Sequence, residues 1–422
     1  MQSQYIKNEL SGGVSLAQIY DTKFKSNTVT VRFLTDINQE DAAALTIIPS
    51  VLTSCNAKYP VGVDFVKELN ALYGTVVSGY ASVMGDTFEI KLTCNHIMDK
   101  YALDGDKISL EAGQILLDCI FMPALEGDGF AVSEFEARKK DLLDTIDGEI
   151  NDKISYAMQL ALETAYIGEP SAQKHYGSRE AVEALTPEKA YKVYLKLLSE
   201  AKIEISFCGG GDFEESVELF EKAFNTSRAK WKTPQIISYS PAKQETAYAE
   251  KAMNVMQANL VLAFKPKSYN QAVFEILCGL YGGTASSKLF MNVREKMSLC
   301  YFCSSIYSVN KGTMFVVSAV EFSNVEKAKD EIIRQLSLIA EGDFTDSELE
   351  NTKLSLASSV ESRNDRISNI DNWYYLASAR GELITPDEYI NRLYSVTRED
   401  VTLLAKEFTL DTVFILKNSE EK

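Results

Sequence analysis

Arg294 and Tyr301 stand seven residues apart in VREKMSLCYFC, residues 293–303. The arginine falls on what reads as a short helical turn. The tyrosine opens an aromatic and β-branched run that reads as a strand. A permanently charged guanidinium fork and a neutral phenol donor at one helix-to-strand junction can stabilise a developing oxyanion. The same residues have a plainer use: Arg294 can pair with Glu295 or another nearby acid while Tyr301 packs in the sheet. Other chemistry-bearing side chains are sparse. The two histidines, His96 and His175, lie far apart in sequence and are expected at surface or loop positions. Seven cysteines at mostly apolar positions suit buried reduced thiols better than a disulfide framework. Cys300 and Cys303 form a C-x-x-C, but on a regular strand they would point to opposite faces, and no second pair completes a zinc tetrad. GGGD (209–212) and YGGTAS (281–286) lack the Gly-Lys-Ser/Thr end of a phosphate loop.

These residues need a scaffold, and 422 residues exceed one ordinary hydrophobic core. The net charge of −17 is spread along the chain, so the basic footprint of a nucleic-acid partner is missing. No apolar stretch approaches the roughly 20 residues that span a bilayer. The opening MQSQYIKNEL holds no apolar run, which predicts a chain without a secretory signal, working in the cytoplasm away from membranes.

The strongest organising signal is a repeat. In the first half TVTVRFLT (28–35) reads as a strand, followed by two helical stretches and the alternating strands VVSGYASV and TFEIKLTC. The second half repeats this with ANLVLAFK (258–265), QAVFEILCGLYGG, SSKLFMNVREKM, CYFCSSIYSV and TMFVVSAVEF. Further along, SEFE of the first half stands opposite SELE of the second. ALTPEKAYKVYLKLLSEAKIEISFCG (184–209) stands opposite SVTREDVTLLAKEFTLDTVFILK (395–417), each with a threonine N-cap. The pattern predicts an α+β chain of two homologous domains, each a mostly antiparallel sheet with helices packed on one face. Domains are expected at 1–224 and 255–422. The proline-bearing stretch 225–254, of weak periodicity, reads as a linker.

SSKLFMNVREKMSLCYFCSS resembles a segment of the insulinase/pitrilysin peptidase family, which includes the mitochondrial processing peptidases. The duplication, the linker, ALTPEKAYKVY and the CGGGDF turn resemble that family as well, so the likeness covers nearly the whole chain. It implies that Arg294 and Tyr301 bind substrate, holding the peptide backbone and the reacting carbonyl at a zinc site. Active members carry H-x-x-E-H on a first-domain helix: two histidines bind zinc and the glutamate polarises water. Placed by the glycine turn after LNALYG, those five positions are here Pro49, Ser50, Val51, Leu52 and Thr53. Proline and threonine replace the ligands and leucine the base, leaving neither a zinc ligand set nor a proton acceptor. The family's third ligand, a later glutamate, corresponds to Glu149 in local pattern.

The expectation is therefore a chain without catalytic residues, metal or cofactor of its own. YPVGVDFVKELNALYGT and NDKISYAMQLA resemble in particular the YmfF-like group of bacterial inactive members. The resemblance implies a non-catalytic subunit of a heterodimeric zinc metallopeptidase. Its partners would be a homologous H-x-x-E-H-bearing zinc peptidase subunit and a peptide substrate. A peptidase-like scaffold or peptide-binding module, with Arg294 satisfied internally, is the alternative.

Overall fold

The computed structural model describes residues 4–419. The chain forms two compact units, and neither is continuous in sequence. One takes the chain up to Asp147, Gln173–Ile236 and Asn364–Thr385; the other takes Gly148–Ala172, Ile237–Arg363 and the chain from Pro386.

The first unit contains β1 (Gln4–Glu9), β2 (Val14–Tyr20), β3 (Ser26–Asp36), β4 (Val76–Met84), β5 (Thr87–Ile97), a small ribbon of β6 (Leu125–Glu126) and β7 (Gly129–Phe130), and β8 (Lys202–Gly209). Its main sheet runs β1-β2-β8-β3-β5-β4. Each pairing is antiparallel except β2 with β8. The second unit contains β9 (Ala247–Met253), β10 (Ala258–Lys265), β11 (Cys300–Ser308), β12 (Thr313–Val320) and β13 (Thr409–Asn418), in the order β11-β12-β10-β13-β9. Only β13 with β9 is parallel. The order β4, β5, β3, β8, β2 thus recurs as β11, β12, β10, β13, β9. The sequence repeat is a repeat of topology, and the α+β class with mostly antiparallel sheets is what the chain adopts.

Central strands are buried on both faces because both faces are covered. In the first unit Val29, Val31 and Phe33 of β3 join the main core, with the helices Gln39–Leu52, Ile108–Phe121 and Pro187–Glu200. The intervening Thr30 and Arg32 face the other way and meet the helix Ile367–Ala379, which arrives from late in the sequence. In the second unit Val261 and Ala263 of β10 pack against Ala157, Ala161 and Ala165 of the helix Lys153–Ala165, which arrives from the first half. Alanines at every fourth position give that helix a smooth stripe, so it lies close to the sheet. Each sheet therefore has its helix-covered face and, on its second face, one helix lent by the other half of the sequence.

Between Phe224 and Ala247 the described chain forms neither helix nor strand, but Ala247–Met253, inside the stretch read as linker, is the edge strand β9. His175 lies in an exposed turn as expected. His96 does not: it is buried near the end of β5 with Nδ1 3.0 Å from the Ile97 carbonyl. Burial pushes its pKa down, and the alternation of β5 turns this position inward. Among the described residues no helix is long and apolar enough to cross a membrane.

Candidate functional site

The turn before Arg294 is a widened, π-type helix over Leu289–Lys296, a form that needs tertiary support to persist. Leu289 and Val293 are buried beneath it. Asn292 donates from Nδ2 to Gln335 Oε1 at 2.9 Å, and Lys288 pairs with Glu348 at 2.9 Å, tying the turn to two helices of the same unit. The turn closes through Met297 N to Asn292 O and Leu299 N to Val293 O, both at 3.1 Å, with Ser298 in the left-handed region at φ 49°. Gly282 lies behind β11: a Cβ there would meet Ser305 N at 2.6 Å, so this glycine sets how near the strand can come.

These supports bring Arg294 and Tyr301 together. The guanidinium lies 4.6 Å from the Phe290 ring and 5.8 Å from the Tyr301 ring. The Arg294 side chain keeps 36% of its surface exposed, and Nε is 3.6 Å from Glu295 Oε1, an open contact at the surface. Tyr301 is 78% exposed. It is the unpaired residue of a β-bulge, since the β11–β12 register shifts between Cys300 and Phe302. A bulge re-aims a side chain, and here it turns an aromatic outward on an edge strand. The bulge also overturns the expectation that Cys300 and Cys303 face apart: they pair with Val320 and Ser318, two residues apart on β12, and so share a face. Sequence reasoning missed Phe290, although its i,i+4 spacing to Arg294 is a helical contact signal. It also missed the anchor Gln335, for which no local signal exists.

The positions that the resemblance sets against H-x-x-E-H belong to the first unit and sit on the last turn of the helix Gln39–Leu52. Asn38 caps its start, its side chain accepting from Glu40 N at 3.1 Å, and Glu40 and Asp41 suit the helix dipole there. Pro49 and Leu52 are buried, and the Pro49 carbonyl presses on β4, where a Cβ at Gly79 would meet it at 2.6 Å. Thr53 donates both its N–H, at 3.2 Å, and its hydroxyl, at 2.8 Å, to that carbonyl. Helical spacing survives, but the donor set does not fit zinc: a proline ring, a core leucine and a hydroxyl satisfied by its own helix. Glu149 lies in a short turn, Glu149–Asn151, of the other unit. Among the described residues no three His, Cys, Asp or Glu side chains converge as a metal site would require.

Residues 184–356 match the model of the Peptidase M16 inactive domain. The chain is similar to inactive-peptidase homologues of the M16, or insulinase, family. It is 26% identical to the "Probable inactive metalloprotease YmfF" of Bacillus subtilis over 98% of both chains. A crystal structure of a conserved protein from Enterococcus faecalis superposes on this chain with a TM-score of 0.92 at 26% identity, covering all of both chains. A protease from Helicobacter pylori shares the fold, with a TM-score of 0.78 at 16% identity over 99% of this chain and all of that one.

Proposed function

We propose that this chain is the non-catalytic subunit of a cytoplasmic heterodimeric zinc metallopeptidase, presenting Arg294 and Tyr301 to a peptide held at the zinc of a homologous H-x-x-E-H-bearing partner. One contrast carries the reading. At positions 49–53 the hydroxyls of Ser50 and Thr53 are spent on carbonyls of their own helix, whereas Arg294 and Tyr301 keep their polar groups at the surface on a braced turn. A chain relieved of all peptidase duty has no use for an outward phenol on a bulge. In the complex the guanidinium grips the peptide carbonyl as negative charge develops, and the phenol donates to the same oxygen. Zinc, where the partner holds it, supplies the activated water.

The contacts of Arg294 with Phe290 and Glu295 favour a second reading, a scaffold in which these residues only brace β11. One experiment separates the two. The purified chain is assayed alone and mixed with a homologous H-x-x-E-H-bearing chain from the same genome, using a fluorogenic peptide library and zinc analysis. The proposal expects no stoichiometric zinc and no cleavage from this chain alone, and cleavage by the mixture above that of the partner alone. A stable complex without added cleavage supports the scaffold; zinc-dependent cleavage by the isolated chain refutes both.

A further inference from the structure

The bulge that turns Tyr301 outward also builds a thiol pair that peptide binding does not use. Tyr301 and Phe302 together occupy the space opposite the single residue Ala319. That extra residue converts the C-x-x-C spacing, which on a flat strand separates the side chains, into a same-face pair. The two thiols lie within hydrogen-bonding reach of each other and of Ser318, whose hydroxyl donates to the Phe302 carbonyl at 2.8 Å. Cys303 is buried and Cys300 is half-exposed. The arrangement is asymmetric in reactivity. The hydrogen bond from Cys303, aided by Ser318 and the Arg294 charge, holds the Cys300 thiol down at about 7 against the opposing effect of burial. The same bond, with burial, pushes Cys303 up. The five other cysteines are buried, and burial pushes each of them up. Thiolate character and access select the reactive cysteine, and both single out Cys300, with a second thiol already in contact to resolve it.

We propose that Cys300 and Cys303 are a reversible dithiol–disulfide site served by small disulfides of the glutathione type. The Cys300 thiolate attacks one sulfur of the small disulfide; that S–S bond breaks and one thiolate leaves, giving a mixed disulfide on Cys300. Cys303 yields its proton to the departing thiolate and attacks the Cys300 sulfur, expelling the second small thiol. Two protein thiols are oxidised, one small disulfide is reduced to two thiols, and no other reactant enters. The new bond closes across the bulge, so Tyr301 is held between two linked residues in the oxidised form.

The test equilibrates the intact chain with glutathione and its disulfide at graded ratios. Samples are then acid-quenched, their free thiols are alkylated after unfolding, and peptides are mapped by mass spectrometry. The peptide carrying residues 300–303 should lose both alkyl groups together, with the mass of two hydrogens, and recover them on reduction by dithiothreitol. The other five cysteines should stay alkylatable throughout. Cys303→Ser should trap a glutathione adduct on Cys300, and Cys300→Ser should leave Cys303 unmodified. Accumulation of the Cys300 adduct in the unsubstituted chain beside a free Cys303, or no reaction of either thiol at any ratio, would overturn the proposal.

Discussion

Arg32 of β3 and Asp371 of the helix Ile367–Ala379 meet at 2.5 Å between Nη2 and Oδ2, wholly buried, across most of the sequence of the first unit. Ser206 and Thr30 also bond to the carboxylate, Lys91 stands 3.9 Å from it, and Arg32 Nε is 3.3 Å from Glu89 and stacked on Tyr375. Removing one partner leaves a buried charge uncompensated, which costs about 3–5 kcal/mol. Asp371→Ala should therefore lower unfolding free energy by that amount in denaturant titrations and expose the helix to protease. A change under about 1 kcal/mol would show that the ion pair does not hold the helix.

In the second unit the corresponding fastening is made differently. Lys243 and Lys265 both donate to the Ala165 carbonyl, at 2.9 and 2.8 Å, at the end of the helix Lys153–Ala165, where positive charge meets the negative end of the helix dipole. Asp411 balances them at 2.7 and 3.4 Å. Asp411→Ala should cost a similar 3–5 kcal/mol. Hydrogen exchange should locate the loss in Lys153–Ala165 while the amides of Ile367–Ala379 stay protected. Equal loss of protection in both helices would contradict two independent fastenings.

Acid should undo both. Burial, the largest single influence, would raise the Asp371 and Asp411 carboxyls. The Arg32 and Lys91 charges with hydrogen bonds around Asp371, and the Lys243 bonds around Asp411, outweigh it and hold both below the usual carboxylate range. A depressed carboxylate contributes stability above its unfolded pKa of about 3.9 and loses it as pH falls through its folded value. Unfolding midpoints should be flat from about pH 7 to 5 in this respect and fall below about pH 4. Asp371→Asn should make that fall shallower. An unchanged acid slope in Asp371→Asn would remove Asp371 from the explanation.

Much of this architecture is legible in the sequence because it rests on local pattern. The limits of β10, ANLVLAFK, coincide with the run read as a strand, and the threonine caps at 186 and 397 bond as expected. The exchanged helices are not legible. Arg32 sits in an alternating strand and Asp371 in an aromatic helix, and nothing local says that they are partners. The edge strand β9, AYAEKAM, carries weak alternation and exists because β13 pairs with it in parallel. The site is half legible. Residue types at 49–53, where the resemblance places H-x-x-E-H, already show that no zinc ligand set stands there. The bulge at Tyr301 has no glycine or proline to mark it, so the shared face of Cys300 and Cys303 appears only once the ladder is known.

The seat of the helix Gln39–Leu52 is tight. Gly79→Ala would drive a Cβ to 2.6 Å from the Pro49 carbonyl and 2.8 Å from Leu92 Cδ2. Overpacking of this kind costs about 1–3 kcal/mol. The substitution should lower thermal stability without altering peptide cleavage by the complex beyond what the loss of folded protein explains. A stabilised Gly79→Ala variant would mean that the helix can lift away from β4.

The central claim is that Arg294 acts on a substrate belonging to another subunit's zinc site. The direct measurement is peptide turnover by the complex of this chain with its H-x-x-E-H-bearing partner, comparing the unsubstituted chain with Arg294→Ala. The account predicts unchanged assembly and thermal stability with a drop in turnover of about 10²–10³-fold, the usual effect of losing one oxyanion donor. A complex that forms normally and cleaves at full rate without the Arg294 guanidinium would contradict it.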